Sequence, residues 1–109
     1  MDIREEKYWS DYTARVKTMN LIKQILDNHG YTYSRIYQRV NRGMIRVQFD
    51  FRKDLTDLSS EQRGMLVATK LLLTNYDIPA FIEITDEKGT PKILFAQDFE
   101  VLKSGEIVI

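Results

Sequence analysis

The chain contains no cysteine. Disulfides, thiolate metal ligands and cysteine nucleophiles are thereby excluded. There is one histidine, His29, so no imidazole cluster for a transition metal can form, and no His/Asp/Glu group shows metal-ligand spacing. Neither a phosphate-binding loop nor a dinucleotide-binding glycine pattern occurs. No apolar run approaches the ~20 residues that span a bilayer, and the opening MDIREEK lacks the apolar core of a signal peptide. The expectation is a cytoplasmic protein with no cofactor, no metal and no membrane partner. Proline and glycine are also scarce, two and five residues respectively; all but Gly64, which falls in the first turns of the second helical stretch, mark element boundaries.

Acidic and basic residues balance at 16 each, but they are unevenly placed. Residues 31–53, YTYSRIYQRVNRGMIRVQFDFRK, hold six basic residues and one acid, whereas residues 79–109 hold three basic and six acidic ones. Five of the eight arginines fall in the basic stretch, against one of the eight lysines. Arginine suits planar, bidentate and stacked contacts better than lysine.

The basic stretch reads as a β-hairpin. Asn41-Arg42-Gly43 is a turn signal between two alternating runs. In the second run Ile45, Val47, Phe49 and Phe51 share one face, and Arg46, Gln48, Asp50 and Arg52 share the other. A two-residue turn at Arg42-Gly43 pairs Val40 with Ile45, Ile36 with Phe49, Arg35 with Asp50 and Arg39 with Arg46. The outer face then carries Tyr33, Arg35, Tyr37, Arg39, Arg46, Gln48, Asp50 and Arg52. A three-residue turn without a bulge turns arginines inward, and the cost of burying charge argues against it.

Before the hairpin, Asp2 and Glu5 make a capping-box pattern. Helical spacing then runs through Trp9, Tyr12, Val16, Met19, Ile22 and Leu26, a helix over residues 3–29. Gly30 closes it as a C-cap with positive φ. His29, in the last turn, is read as a helix-end residue. After the hairpin, Ser59 or Ser60 caps a second helix, with Glu61 and Gln62 in its first turn and Pro79 beyond its end. AFIEITD over 80–86 reads as a third strand, and Pro91 opens a fourth, KILFAQ, apolar on both faces. The remainder reads as a short strand, a turn at Lys103-Ser104-Gly105, and an apolar end, Ile107-Val108-Ile109. The expected fold is a single α+β domain over 1–109: a two-layer sandwich of order α-β-β-α-β-β(-β), an antiparallel sheet with two helices on one face.

No catalytic constellation is visible, and Ser59 and Ser60 are accounted for as caps. The expected function is a small non-enzymatic protein-interaction module, of inhibitor or adaptor type, with homodimerisation across a strand edge as one form of its use. Its binding residues are Tyr33, Arg35, Tyr37, Arg39, Arg42, Arg46 and Arg52, with Ile107, Val108 and Ile109 as an interface. Tyrosine and arginine are enriched at interface hot spots. The alternative is nucleic-acid binding by the same face, arginines on phosphates and tyrosines on bases. A weaker third reading is an anion pocket between the hairpin and the second helix.

Overall fold

The computed structural model describes residues 12–38 and 44–105. Helix α1 (Tyr12–Asn28) leads to strands β1 (Arg35–Gln38) and β2 (Ile45–Phe49). A 3-10 turn at Leu55–Asp57 precedes helix α2 (Ser60–Asn75). Strands β3 (Ala80–Thr85) and β4 (Pro91–Ile93) and helix α3 (Ala96–Lys103) follow. The class is α+β, with a four-stranded mixed sheet in the order β1-β2-β3-β4.

Local chemistry sets the helix ends. At the end of α1 the Tyr31 N–H donates to Leu26 O and the Gly30 N–H to Asp27 O, the paired bonds of a Schellman cap. Gly30 takes φ 70° there, as the sequence leads one to expect. The His29 Nδ1–H donates to Ile25 O at 2.9 Å, which makes it a helix-end residue. Ser59 Oγ accepts from Gln62 N at 3.1 Å, and Gln62 Oε1 accepts from Ser59 N at 3.0 Å. This reciprocal box starts α2. The helix ends in a second Schellman cap, Ile78 N–H to Leu73 O, with Asp77 at φ 55° in the glycine position. The capping pattern at Asp2 and Glu5, with Trp9, lies outside the described residues.

Three expectations are corrected. First, the sheet is not antiparallel throughout: β1–β2 and β3–β4 are, but β2–β3 is parallel. The chain leaves β2, returns along α2 and enters β3 in the same direction, the geometry of a crossover connection. Second, Ala96–Lys103 is a helix, not part of a strand and turn. Phe99 and Leu102, three residues apart, are its buried positions. The Phe95 N–H donates to Asp98 Oδ2 at 2.8 Å, which closes the first turn. Strand β4 is accordingly cut to Pro91–Ile93 and lies at the sheet edge. Third, the hairpin register is shifted by two residues. Gln38 pairs with Ile45, Ile36 with Val47, Tyr37 with Arg46 and Arg35 with Gln48. An even shift preserves which residues share a face. It also sets Arg46 against a tyrosine instead of against a second arginine, a favourable exchange.

One cluster forms the core. Ile22, Ile25 and Leu26 of α1, Leu66, Val67 and Leu73 of α2, and Phe99 and Leu102 of α3 join Ile45, Val47, Phe49, Ile82 and Ile84 of the central strands. Those strand residues share a face by the register of β2 and β3.

Candidate functional site: the polar face of the sheet

The other face of β2 and β3 carries Arg46, Gln48, Glu83 and Thr85, and all four are buried. Parallel pairing sets Gln48 beside Glu83 and Arg46 beside Phe81, while antiparallel pairing sets Tyr37 beside Arg46. Glu83 is the hub, with 0% exposure. Its Oε1 accepts from Gln48 Nε2 at 2.6 Å. The Tyr37 hydroxyl donates between both carboxylate oxygens, 2.8 Å from each. Arg46 Nη1 lies 3.4 Å from Oε2. That is long for a charge-assisted hydrogen bond, so neutral donors hold the carboxylate and Arg46 supplies the opposite charge. Arg46 Nε is buried without a partner, and its guanidinium carbon lies 5.9 Å from the centre of the Phe81 ring.

Loss of solvent raises the Tyr37 pKa above its ordinary value, and the hydrogen bond to Glu83 and its negative charge push the same way. Arg46 and Arg35 oppose the shift. The phenol thus stays protonated and keeps donating. Arg35 lies over the other side of this arrangement, its guanidinium carbon 4.0 Å from the Tyr37 ring centre. Arg35 is exposed, Tyr37 half-buried.

The residues singled out from the sequence therefore separate. Arg35, Tyr37 and Arg46 come together, but Arg46 is 5% exposed and does not face solvent as expected. Its position between Tyr37 and Glu83 explains this. Tyr33 leaves the face. It precedes β1, where the alternation has not begun, and its hydroxyl donates to Asp27 Oδ1 of α1 at 3.2 Å. Burial and the Asp27 carboxylate raise its pKa. Arg52 follows β2 in a left-handed conformation, φ 55°. Its N–H donates to Thr85 O, and its exposed side chain meets Asp50 at 3.1 Å. Asp50 thus pairs with Arg52, not with Arg35. Arg39, Arg42, Ile107, Val108 and Ile109 lie outside the described residues.

Glu83 is the residue that sequence reasoning missed. A single carboxylate inside the apolar strand FIEIT was a signal, but its partners come from β1 and β2, and the parallel neighbour was not foreseen. The depression between the hairpin and α2, about 530 Å³, has Asp50 and Glu61 in its wall and no cation. It does not suit an anion. Among the described residues no group of three or more His, Asp or Glu side chains could hold a metal ion, and no helix is long and apolar enough to cross a membrane.

Compared with known proteins, the chain matches no family model, no curated protein and no solved structure.

Proposed function

We propose that the chain is a non-enzymatic protein-interaction module, inhibitor or adaptor in type, that meets its partner with the basic aromatic side of the β1–β2 hairpin. The reading takes the domain as two layers with the helices against the apolar face; on the opposite side the central strands are buried, and the partner meets the β1 margin at Arg35 and Tyr37. One observation carries it. Arg35 is stacked on Tyr37, and Tyr37 is pinned by Glu83. An exposed arginine held over a fixed aromatic ring loses little side-chain entropy on binding, which is the economy of a hot spot. Glu83 itself, with no exposed surface, is closed to a substrate. The burial of Arg46 removes one cation from the phosphate-binding alternative. Arg39 and Arg42 extend the basic side of this reading, and Ile107-Val108-Ile109 are its second contact, in homodimer form across a strand edge; these rest on sequence alone, while Arg52 joins it as an exposed side chain paired with Asp50.

The test compares wild type with Arg35→Glu. The full chain is immobilised at physiological salt, and proteins captured from a lysate of the native host are identified. In parallel, random single-stranded and duplex DNA are titrated over a salt series. The reading expects a protein retained by wild type and lost from Arg35→Glu, with only weak DNA binding. Identical captured sets sink it. Tight DNA binding with a steep salt slope that Arg35→Glu reduces by about one unit replaces it with the nucleic-acid reading.

A further inference from the structure

The sheet ends in a notch where β4 stops short. The last contact of that edge with β3 is Leu94 N–H to Ile82 O at 2.9 Å. Beyond it the chain turns into α3, so among the described residues Ala80 and Phe81 have β2 on one side and no strand on the other. The gap is a cavity of about 260 Å³, lined by Met44, Phe81, Leu94, Phe95 and Phe99 and edged by Lys70.

Phe95 has no structural reason to be a phenylalanine. It occupies the N-cap of α3, where Ser, Thr, Asp and Asn are favoured and large apolar residues are not. The cap is made by Asp98 accepting from the Phe95 N–H, a bond any residue except proline could donate. The residue is 57% exposed and contributes to the notch instead of to the core. Lys70 is the second sign. Its ammonium sits 5.8 Å from the centre of the Phe99 ring, and no carboxylate among the described residues pairs with it. No acid lines the cavity. A cation beside an aromatic wall with no internal counter-charge favours an anionic group at the mouth.

We propose that this notch docks an extended peptide segment of a partner protein, with a bulky apolar side chain seated among Phe81, Phe95 and Phe99 and a neighbouring carboxylate on Lys70. The Ala80 N–H already donates to Ile78 O at 3.1 Å, so the segment is held by its side chains in the notch and not by strand addition. The surface is separate from Arg35 and Tyr37, and the proposal stands or falls independently of the hairpin reading.

A random nonapeptide library displayed on phage is selected against the immobilised full chain. The expected winners carry Phe, Leu or Trp within two residues of Asp or Glu. The leading sequence, made as a fluorescein-labelled peptide, is then titrated by fluorescence polarisation. Lys70→Glu and Phe95→Ser should each weaken it about tenfold or more, and Arg35→Glu should leave it unchanged. Phe95→Ser installs a preferred cap, so circular dichroism should show an intact fold. No enrichment, winners rich in Lys and Arg, or binding indifferent to either notch variant overturns the proposal. Displacement of the peptide by millimolar octanoate as effective as by unlabelled peptide overturns it in favour of a small amphiphile. Self-association broken by Phe95→Ser, with no peptide enriched, overturns it in favour of a second copy of the chain.

Discussion

The two faces of the central strands are equally dry and differently built. Along β2, five consecutive residues from Ile45 to Phe49 are buried. The odd positions join an apolar cluster, where each side chain contributes in proportion to the area it removes from water. The even positions, Arg46 and Gln48, join Glu83 and Tyr37 in a network whose members are tolerable only together. A buried ion pair adds little net stability over well-packed apolar residues, but half of one is costly. The apolar face is additive, and the polar face is conditional.

Two truncations with the largest expected effects test that difference. Phe49→Ala should cost about 3–5 kcal/mol, from lost transfer energy and the cavity left behind. Glu83→Ala should cost a similar ~3–5 kcal/mol, because Arg46 is left buried and unpaired. Compensation separates them. Replacing the pair together, Arg46→Met with Glu83→Leu, should recover part of that loss in unfolding free energy, the remainder being the cost of the Gln48 and Tyr37 donors left without Glu83. A double variant as unstable as Glu83→Ala alone would show that the polar face needs these groups themselves and not only their completeness.

A smaller effect comes from the hydroxyl that joins β1 to the hub. Tyr37→Phe should cost about 1.5–3 kcal/mol, the range for a hydrogen bond to a charged group, discounted toward its lower end by partial exposure. It should also alter the alkaline limb of the stability curve. The Tyr37 pKa is raised on folding, first by burial and then by Glu83. Above about pH 10 the unfolded chain therefore holds fewer protons than the folded one. Stability is present in full below the ordinary phenol pKa and falls as pH rises through the folded value. Tyr37→Phe should show a shallower loss above about pH 10, with Tyr33, raised in the same direction, also contributing. Parallel curves for the two proteins would place the phenol outside the network.

The smallest effects lie at the helix ends, where neither face is involved. Both α1 and α2 close in Schellman caps, one on Gly30 and one on Asp77. Gly30→Ala should cost about 1 kcal/mol, since a Cβ is strained at that φ whatever space surrounds it. Asp77→Gly should gain about 0.5 kcal/mol by relieving the same strain. Denaturation midpoints check both. Unchanged values would place the backbone strain elsewhere.

These residues also show what the sequence made legible. The caps at Gly30 and Ser59 could be read because they depend on a few neighbouring residues. The alternation that divides Val47 from Arg46 was equally local, and it survived an error in register because the shift was even. What was not legible depended on partners far along the chain. Glu83 is defined by Tyr37, 46 positions away, and by Gln48, 35 positions away. The solvent exposure expected of Arg46 failed for the same reason. In Ala96–Lys103 the short apolar run fitted strand and helix alike, and burial of Phe99 with Leu102 decided between them.

The parallel seam between β2 and β3 also governs how the sheet is assembled. Each outer pair is a hairpin that neighbouring chain can close on its own. The seam joins Ile45 to Ala80, residues 35 apart (80 − 45), with α2 in the loop. Closing so long a loop carries more entropy loss than either hairpin turn, and the cost is met before the seam's own bonds are made. Local pairing can therefore yield two half-sheets and no more. Glu83 arrives with one half, Tyr37, Arg46 and Gln48 with the other. The buried hub comes into being only when the halves meet, so its hydrogen bonds report completed folding and not the formation of either half.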